Sequence, residues 1–268
     1  MGLIWPVEAI RREVAPLLPG FAVEVLTTVD STNSELMRRA RAGWREPVLL
    51  VAEHQSAGRG RMGRHWYSDA PATTGGTSDR VGLFPAGGSL TFSLALAVSP
   101  QDWSGMSLAV GVSLARSLHP ALGLKWPNDI WLNERKLAGI LIETASFGDR
   151  RMAVIGVGVN IRPHAWEGLS RPPAWLQELL PGLDAPAVLQ CVFPELVQAL
   201  RLFETQGFAP FQAAFETRDV LRDRAVVLSD GTTGTATGVD GTGALLVHTS
   251  SGMKAITSAE VSVRPKGD

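Results

Sequence analysis

Glycine and arginine alternate through GRGRMGR, from Gly58 to Arg64, with Trp66 two residues beyond. Glycines let a backbone approach a ligand closely, and Arg59, Arg61 and Arg64 between them carry guanidinium forks. Backbone N–H groups together with such forks suit phosphate or carboxylate. The spacing is neither a Walker loop nor a dinucleotide fingerprint, since no Lys-Ser/Thr pair follows. A mobile basic surface loop has the same composition, so spacing alone leaves both readings open.

Further along stands KWPND, Lys125 to Asp129, with Lys136 seven residues past the aspartate. One carboxylate there is enough for Mg²⁺, which keeps waters and shares one or two carboxylates with substrate phosphates. Across a short hairpin Lys136 could face an anion held by that metal. An ordinary Pro-Asn-Asp turn with a solvated lysine is the plain alternative. Against it, the only lysines are Lys125, Lys136, Lys254 and Lys266 in a chain rich in arginine, and two of them fall here. IGVGVN (155–160) has glycines at 156 and 158, which clear one strand face for a flat ligand or for tight packing. DSTN (30–33) places four hydrogen-bonding side chains at a helix start; a cap explains one of them and leaves Ser31 and Asn33 for a polar ligand.

The elements that must hold these groups follow from periodicity. A helix is expected over 6–18 and a strand over about 21–29. Thr32 and Glu35 predict a capping box opening a helix to Ala40. Strands are expected at 47–55, at 89–98 and in three or four segments between 122 and 161, with a hairpin turn at Asn133–Arg135. Helices are expected at 104–118, 172–180, 187–204 and 208–217, the third kinked or split at Pro194. From Tyr67 to Gly88 the chain lacks periodicity over more residues than loops usually span, as in a functional or mobile insert. After Arg224 short alternating segments are divided by Asp-Gly and Ser-Gly turns, the pattern of a small antiparallel barrel or sandwich. Such a module is marginal alone and should lean on the larger part.

The chain has 268 residues, 45% of them apolar, with a formal net charge of -1. That balance argues against a surface built to attract nucleic acid. No apolar run approaches the roughly 20 residues of a membrane span, and the N-terminus lacks the charge order of a secretory signal. The lone Cys191 fits a reducing compartment, so a cytoplasmic protein is expected.

Together, Ser31-Thr32-Asn33, GRGRMGRHW, KWPND, RKLAGIL and GVGVN resemble the biotin–protein ligase family in order and spacing. The resemblance implies an α+β fold, a class II synthetase-like mixed sheet with helices, over 1–220. A C-terminal SH3-like barrel over 221–268 is implied as well. It implies an ATP-dependent, AMP-forming enzyme that makes biotinyl-5′-AMP and transfers biotin to a lysine of a biotin carboxyl carrier protein. By the same resemblance Ser31, Thr32, Asn33, Gln55, Gly58, Arg59 and Gly60 would bind biotin. Arg61 and Lys136 would meet the biotin carboxylate and the α-phosphate of ATP. Arg64, Trp66, Lys125, Asn128 and Asn160 would hold the nucleotide, and Asp129 the Mg²⁺ cofactor; Arg61, Lys136 and Lys125 are the expected catalytic residues. Residues near Ile161 to Trp175 correspond to a segment that orders over the adenylate in relatives.

Repressor members of the family carry a winged helix–turn–helix before the Ser-Thr-Asn motif. Here that motif arrives at residue 31, so a monofunctional ligase without DNA binding is expected. A lipoate or octanoate ligase or transferase of the same fold is the rival reading. Its linear apolar acid needs no polar cluster for a ring. The sequence leaves a monomer or a homodimer open.

Overall fold

The computed structural model describes residues 3–68, 87–147, 150–163, 172–257 and 263–265. Most of the 67–88 insert, and 164–171 of the segment expected to order over the adenylate, lie outside the described residues.

In chain order the elements are α1 (Val7–Val14), β1 (Ala22–Val29), α2 (Thr32–Arg41), β2 (Val48–Gln55) and β3 (Ser89–Ala97). Then come α3 (Met106–Leu118), β4 (Gly123–Lys125), β5 (Asp129–Leu132), β6 (Arg135–Phe147) and β7 (Arg150–Asn160). Two helices follow, α4 (Ala185–Gln206) and α5 (Ala209–Glu216). Five short strands close the chain: β8 (Ala225–Leu228), β9 (Thr233–Val239), β10 (Leu245–Thr249), β11 (Gly252–Ile256) and β12 (Val263–Pro265). The chain divides into two compact units, one of residues 1–98 and 135–194, the other of 99–134 and 195–268.

In the first unit five strands lie in the order β1-β2-β3-β7-β6, parallel between β1 and β2 and antiparallel elsewhere. Side chains alternate across a sheet, so register decides what each face offers. On one face Val48, Leu50, Ala95, Val154, Met152 and Ala145 form an apolar core with Leu36, Met37 and Ala40 of α2. Further along the same face the pattern changes. Leu50 pairs with Ser93, Ser93 with Gly156, Thr91 with Gly158, and Gly158 with Gly139. Apolar surface fastens α2 at one end, and small or polar residues are left uncovered by it at the other.

Three local expectations are corrected. The helix cap is Ser31 rather than Thr32: its side chain accepts from the Ser34 N–H, which lets Thr32 and Asn33 turn inward. Glu35 does not complete a capping box; it pairs with Arg38 and Arg39. Helix α4 is one helix through Pro194 rather than two, while the helix expected over 172–180 is only a 3₁₀ turn at Leu176–Glu178.

In the second unit β8 to β12 form an antiparallel sheet of order β11-β10-β9-β8-β12. It leans on its own unit: the Gln212 amide of α5 donates to the Val239 carbonyl, and the Trp126 indole donates to the Gly243 carbonyl at 3.1 Å. Arg218 donates to the carbonyls of His119, Pro120 and Leu122, tying the end of α5 to the turn before β4.

Next to it Asp219 accepts from the Leu221 N–H, but its Oδ2 is buried with no hydrogen-bond partner among the described residues. Burial pushes this carboxyl up to about 6. The folded protein therefore holds a proton that the unfolded chain releases near pH 4, so stability falls as pH climbs through that window and stays reduced above it. Asp219→Asn keeps the Leu221 bond and removes the buried charge. Its unfolding midpoint near neutral pH should rise by a few degrees, with the gain disappearing at about pH 4. Scanning calorimetry at both pH values checks this, and a lower midpoint at neutral pH contradicts it.

Candidate functional site

The polar end of the first unit's sheet is assembled from distant parts of the chain. Ser31, Thr32, Asn33, Gln55, Ser93 and Asn160 are all buried there. Gln55 accepts at Oε1 from the Thr32 N–H at 2.7 Å, and the Thr32 hydroxyl lies 3.1 Å from the same oxygen. That contact orients the amide, leaving Gln55 Nε2 toward Gly58, where an added Cβ would lie 3.1 Å from it. Ser93 Oγ stands 2.6 Å from Asn33 Oδ1 and 2.7 Å from Thr32 Oγ1. Asn33 spends both amide hydrogens, on the Leu141 carbonyl and on Glu143 Oε2. Gly156 is required beneath it, since a Cβ there would overlap Asn33 Oδ1.

The entry to α2 is held by charge. The Arg38 guanidinium grips both oxygens of Asp30 at 2.7 and 2.9 Å, and Glu35, Arg39 and Glu24 extend the network. The Arg38 hydrogen bonds hold the Asp30 carboxyl at about 2, well below the usual range. Asp30 Oδ1 also accepts from the Ser31 N–H, and its carbonyl accepts from Ala57 N, joining the helix start to the arginine loop.

That loop is a small hairpin. Trp66 N–H donates to the Gly58 carbonyl, Gly60 N–H donates to the Arg64 carbonyl, and Arg59 bridges His65. Met62 and Gly63 turn the tip with φ of 55° and 72°. Gly58 has no room for a side chain, because a Cβ would overlap the Trp66 carbonyl. Arg59 and Arg64 are exposed, and Arg61 and Gly60 are partly exposed. Hence the residues flanking the hairpin are pinned while Arg59 and Arg64 lie at the surface.

Trp66 lies across the paired Gly139 and Gly158, where a Cβ on residue 158 would overlap its indole. The indole Nε1 is buried without a hydrogen-bond partner among the described residues. Lys136 Nζ stands 5.9 Å from the centre of this ring, and an added Cβ at Gly139 would be 3.1 Å from it. The Lys136 carbonyl accepts from Ala174 N and Asn160 Nδ2, which fixes the backbone under the ammonium. One sheet face thus gathers a buried polar cluster, a glycine-seated aromatic plate and a lysine.

The remaining predicted residues belong to the second unit. Lys125 and Asp129 are cross-strand partners on β4 and β5, with Asn128 in the turn between them. Lys125 Nζ lies 4.9 Å from the Trp131 ring centre. Among the described residues no three His, Cys, Asp or Glu side chains cluster as metal ligands. A single carboxylate such as Asp129 suits a nucleotide-borne Mg²⁺, which retains most of its waters.

Sequence reasoning missed Ser93, Thr91 and Glu143. The signal was present: Ser89, Thr91 and Ser93 put a hydroxyl at every second position of a strand that is otherwise apolar. A buried hydroxyl needs a partner, so a period-two polar row inside a buried strand points to a site rather than a core.

Residues 25–160 match the biotin/lipoate A/B protein ligase family, and residues 225–264 match the biotin protein ligase C-terminal domain. The bifunctional ligase/repressor BirA of Escherichia coli is 34% identical over 97% of this chain and 79% of its own length. The biotin–[acetyl-CoA-carboxylase] ligase of Paracoccus denitrificans is 34% identical over 88% of this chain and 98% of its own. Among solved structures, the biotin protein ligase of Aquifex aeolicus in complex with biotin and ATP superposes with a TM-score of 0.72. It has 28% identity over 91% of this chain and 98% of that one. The C-terminal sheet lies in the part that matches the biotin protein ligase C-terminal domain, and the chain belongs to the biotin/lipoate A/B protein ligase family.

Proposed function

We propose that the chain is a biotin–[acetyl-CoA-carboxylase] ligase, which joins biotin to ATP as biotinyl-5′-AMP and transfers the biotinyl group to a lysine of a biotin carboxyl carrier protein. The observation that carries the reading is the convergence on one sheet face of Thr32, Gln55 and Ser93 with Lys136 and Trp66.

The ureido ring of biotin offers two N–H donors and a carbonyl. Ser31, Thr32 and the outward Gln55 Nε2 answer it, with Gly58, Arg59 and Gly60 over it. Asn33 has both amide hydrogens on protein partners, so it would meet the ring as an acceptor through Oδ1. A linear acid such as lipoate or octanoate would leave these buried groups unpaired, at about 1–3 kcal/mol for each.

The first step brings a carboxylate against a triphosphate, and their repulsion must be offset by fixed positive charge. Arg61 and Lys136 supply it at the carboxylate and the α-phosphate, where they stabilise the charge that grows as pyrophosphate departs. Trp66 provides a surface for the base, and Arg64 and Asn160 hold the nucleotide. Lys125 and Asn128 are assigned to the nucleotide as well, with Lys125 as the further catalytic cation. Asp129 would hold Mg²⁺, which when bound neutralises charge on the phosphate oxygens. The adenylate is a mixed anhydride, so the acceptor lysine amine attacks its acyl carbon directly and AMP leaves. Excluding water from the anhydride is the remaining task, and the hairpin of residues 58–66 suits it. No helix among the described residues is long and apolar enough to cross a membrane, and the single cysteine suits a reducing cytoplasm. The ligase domain is assigned to 1–220 and the C-terminal module to 221–268.

ATP–pyrophosphate exchange tests the reading. Biotin should stimulate exchange at least about a hundredfold over no acid, while lipoate and octanoate give little, because each unmatched polar group costs affinity. Stimulation by octanoate or lipoate but not by biotin would overturn it.

A further inference from the structure

Glu143 belongs to none of the motifs above. It lies on β6, one alternation beyond Leu141, and pairs in register with Val154 of the apolar core. A carboxylate at that border loses hydration, with its side chain only 25% exposed, and both oxygens are engaged. Oε2 accepts from Asn33 Nδ2 at 3.0 Å, and Oε1 faces Arg59 Nη1 at 3.9 Å.

These two contacts act on different parts of the pocket. An ionised carboxylate can only accept hydrogen bonds, so it compels the Asn33 amide to present nitrogen to it and oxygen to Ser93. An Asn33 oxygen turned to Ser93 takes that serine's one hydroxyl hydrogen, so Ser93 can only accept from the Thr32 hydroxyl, and the direction chosen at Glu143 reaches Thr32 among the ligand groups. The Arg59 contact clips the exposed hairpin toward the same strand before any ligand arrives. A pair this open to solvent is weak alone, yet it reduces the freedom the hairpin must lose on closing.

We propose that Glu143 is a positioning residue of the biotin pocket, setting the Asn33 amide through one oxygen and the Arg59 hairpin through the other. It touches neither substrate, and the proposal rests on the biotin reading given above.

Glu143→Gln tests it with little change in shape. The glutamine can donate as well as accept, so the amide direction is no longer dictated, and the attraction for Arg59 is gone. In biotin-dependent exchange the KM for biotin should rise about tenfold, the scale of a hydrogen bond to a charged group. At saturating biotin kcat should stay within about twofold, and the KM for ATP should not move, because the ordering cost falls on the biotin step. Trypsin should cut after Arg59 several times faster in the ligand-free variant, with saturating biotin restoring protection. General destabilisation would instead lower the unfolding midpoint and the active fraction without this separation of the two KM values. A biotin KM within about twofold of the parent, an equal rise in both KM values, or unchanged cleavage at Arg59 overturns the role. If the parent shows no biotin-dependent exchange, the pocket assignment and this proposal fall together. Normal parent activity with an indifferent Glu143→Gln removes only Glu143.

Discussion

Replacing Lys136 by alanine should cut biotin-dependent ATP–pyrophosphate exchange by about 10²- to 10³-fold, while biotin binding without ATP stays within about threefold. The backbone at this position is fixed independently of the side chain, through the carbonyl bonds to Ala174 and Asn160, so truncation leaves the strand in place. What disappears is a compact charge held near Gly139 and Trp66, where the phosphoryl group is proposed to react. Biotin alone brings one diffuse carboxylate, and Arg61 remains to meet it. The crowded anionic transition state depends much more on each fixed cation. Lys136→Arg should recover little, since a planar fork cannot occupy the place of a point charge beside a glycine. Calorimetric biotin titration set beside exchange kinetics decides the matter. Equal loss in both would make Lys136 a biotin ligand only.

A second large effect is expected at Gly158. A methyl there occupies the volume of the Trp66 indole, which already packs against the paired Gly139 as well. Gly158→Ala should therefore expel the indole and raise the KM for ATP about tenfold or more, in line with roughly 1–3 kcal/mol for stacking of a base on an aromatic ring. Biotin binding measured without nucleotide should change less than about twofold, because Asn33, where the polar cluster meets this strand, lies against Gly156 rather than Gly158. Combining Gly158→Ala with Trp66→Phe gives a sharper reading. A smaller ring relieves the overlap, so the double variant should perform better than the two separate losses predict. Strict additivity would mean that ring and glycine do not cooperate.

Much of this site was legible because its residue types are hard to explain otherwise. GRGRMGRHW combines conformational freedom with forks of charge, and scarce lysines at 125 and 136 stand out in an arginine-rich chain. The alternating glycines of IGVGVN announced a cleared strand face, though not what would lie on it; Trp66 and Asn33 supply the answer. Legibility failed where long-range pairing decides. Ser93 and Glu143 become important only because β3 and β6 flank β7, a neighbour relation that periodicity does not encode. The cap moved by one residue because Thr32 finds a better partner inward, in Gln55, than at the helix end. Pro194 did not break α4, and tertiary packing of Val192, Phe193, Leu196 and Val197, all fully buried, outweighs the local preference.

The way Asn33 is held has a consequence for how the protein ages. An asparagine followed by serine is prone to spontaneous deamidation, in which the next backbone nitrogen attacks the side-chain carbonyl and closes a succinimide ring. Here that nitrogen, of Ser34, is engaged by the Ser31 hydroxyl, the backbone is helical, and the amide is anchored at both ends. The cap that starts the helix therefore also shields the pocket floor from slow chemical decay, and a protein loosened at Ser31 would accumulate a misplaced negative charge beneath its own substrate.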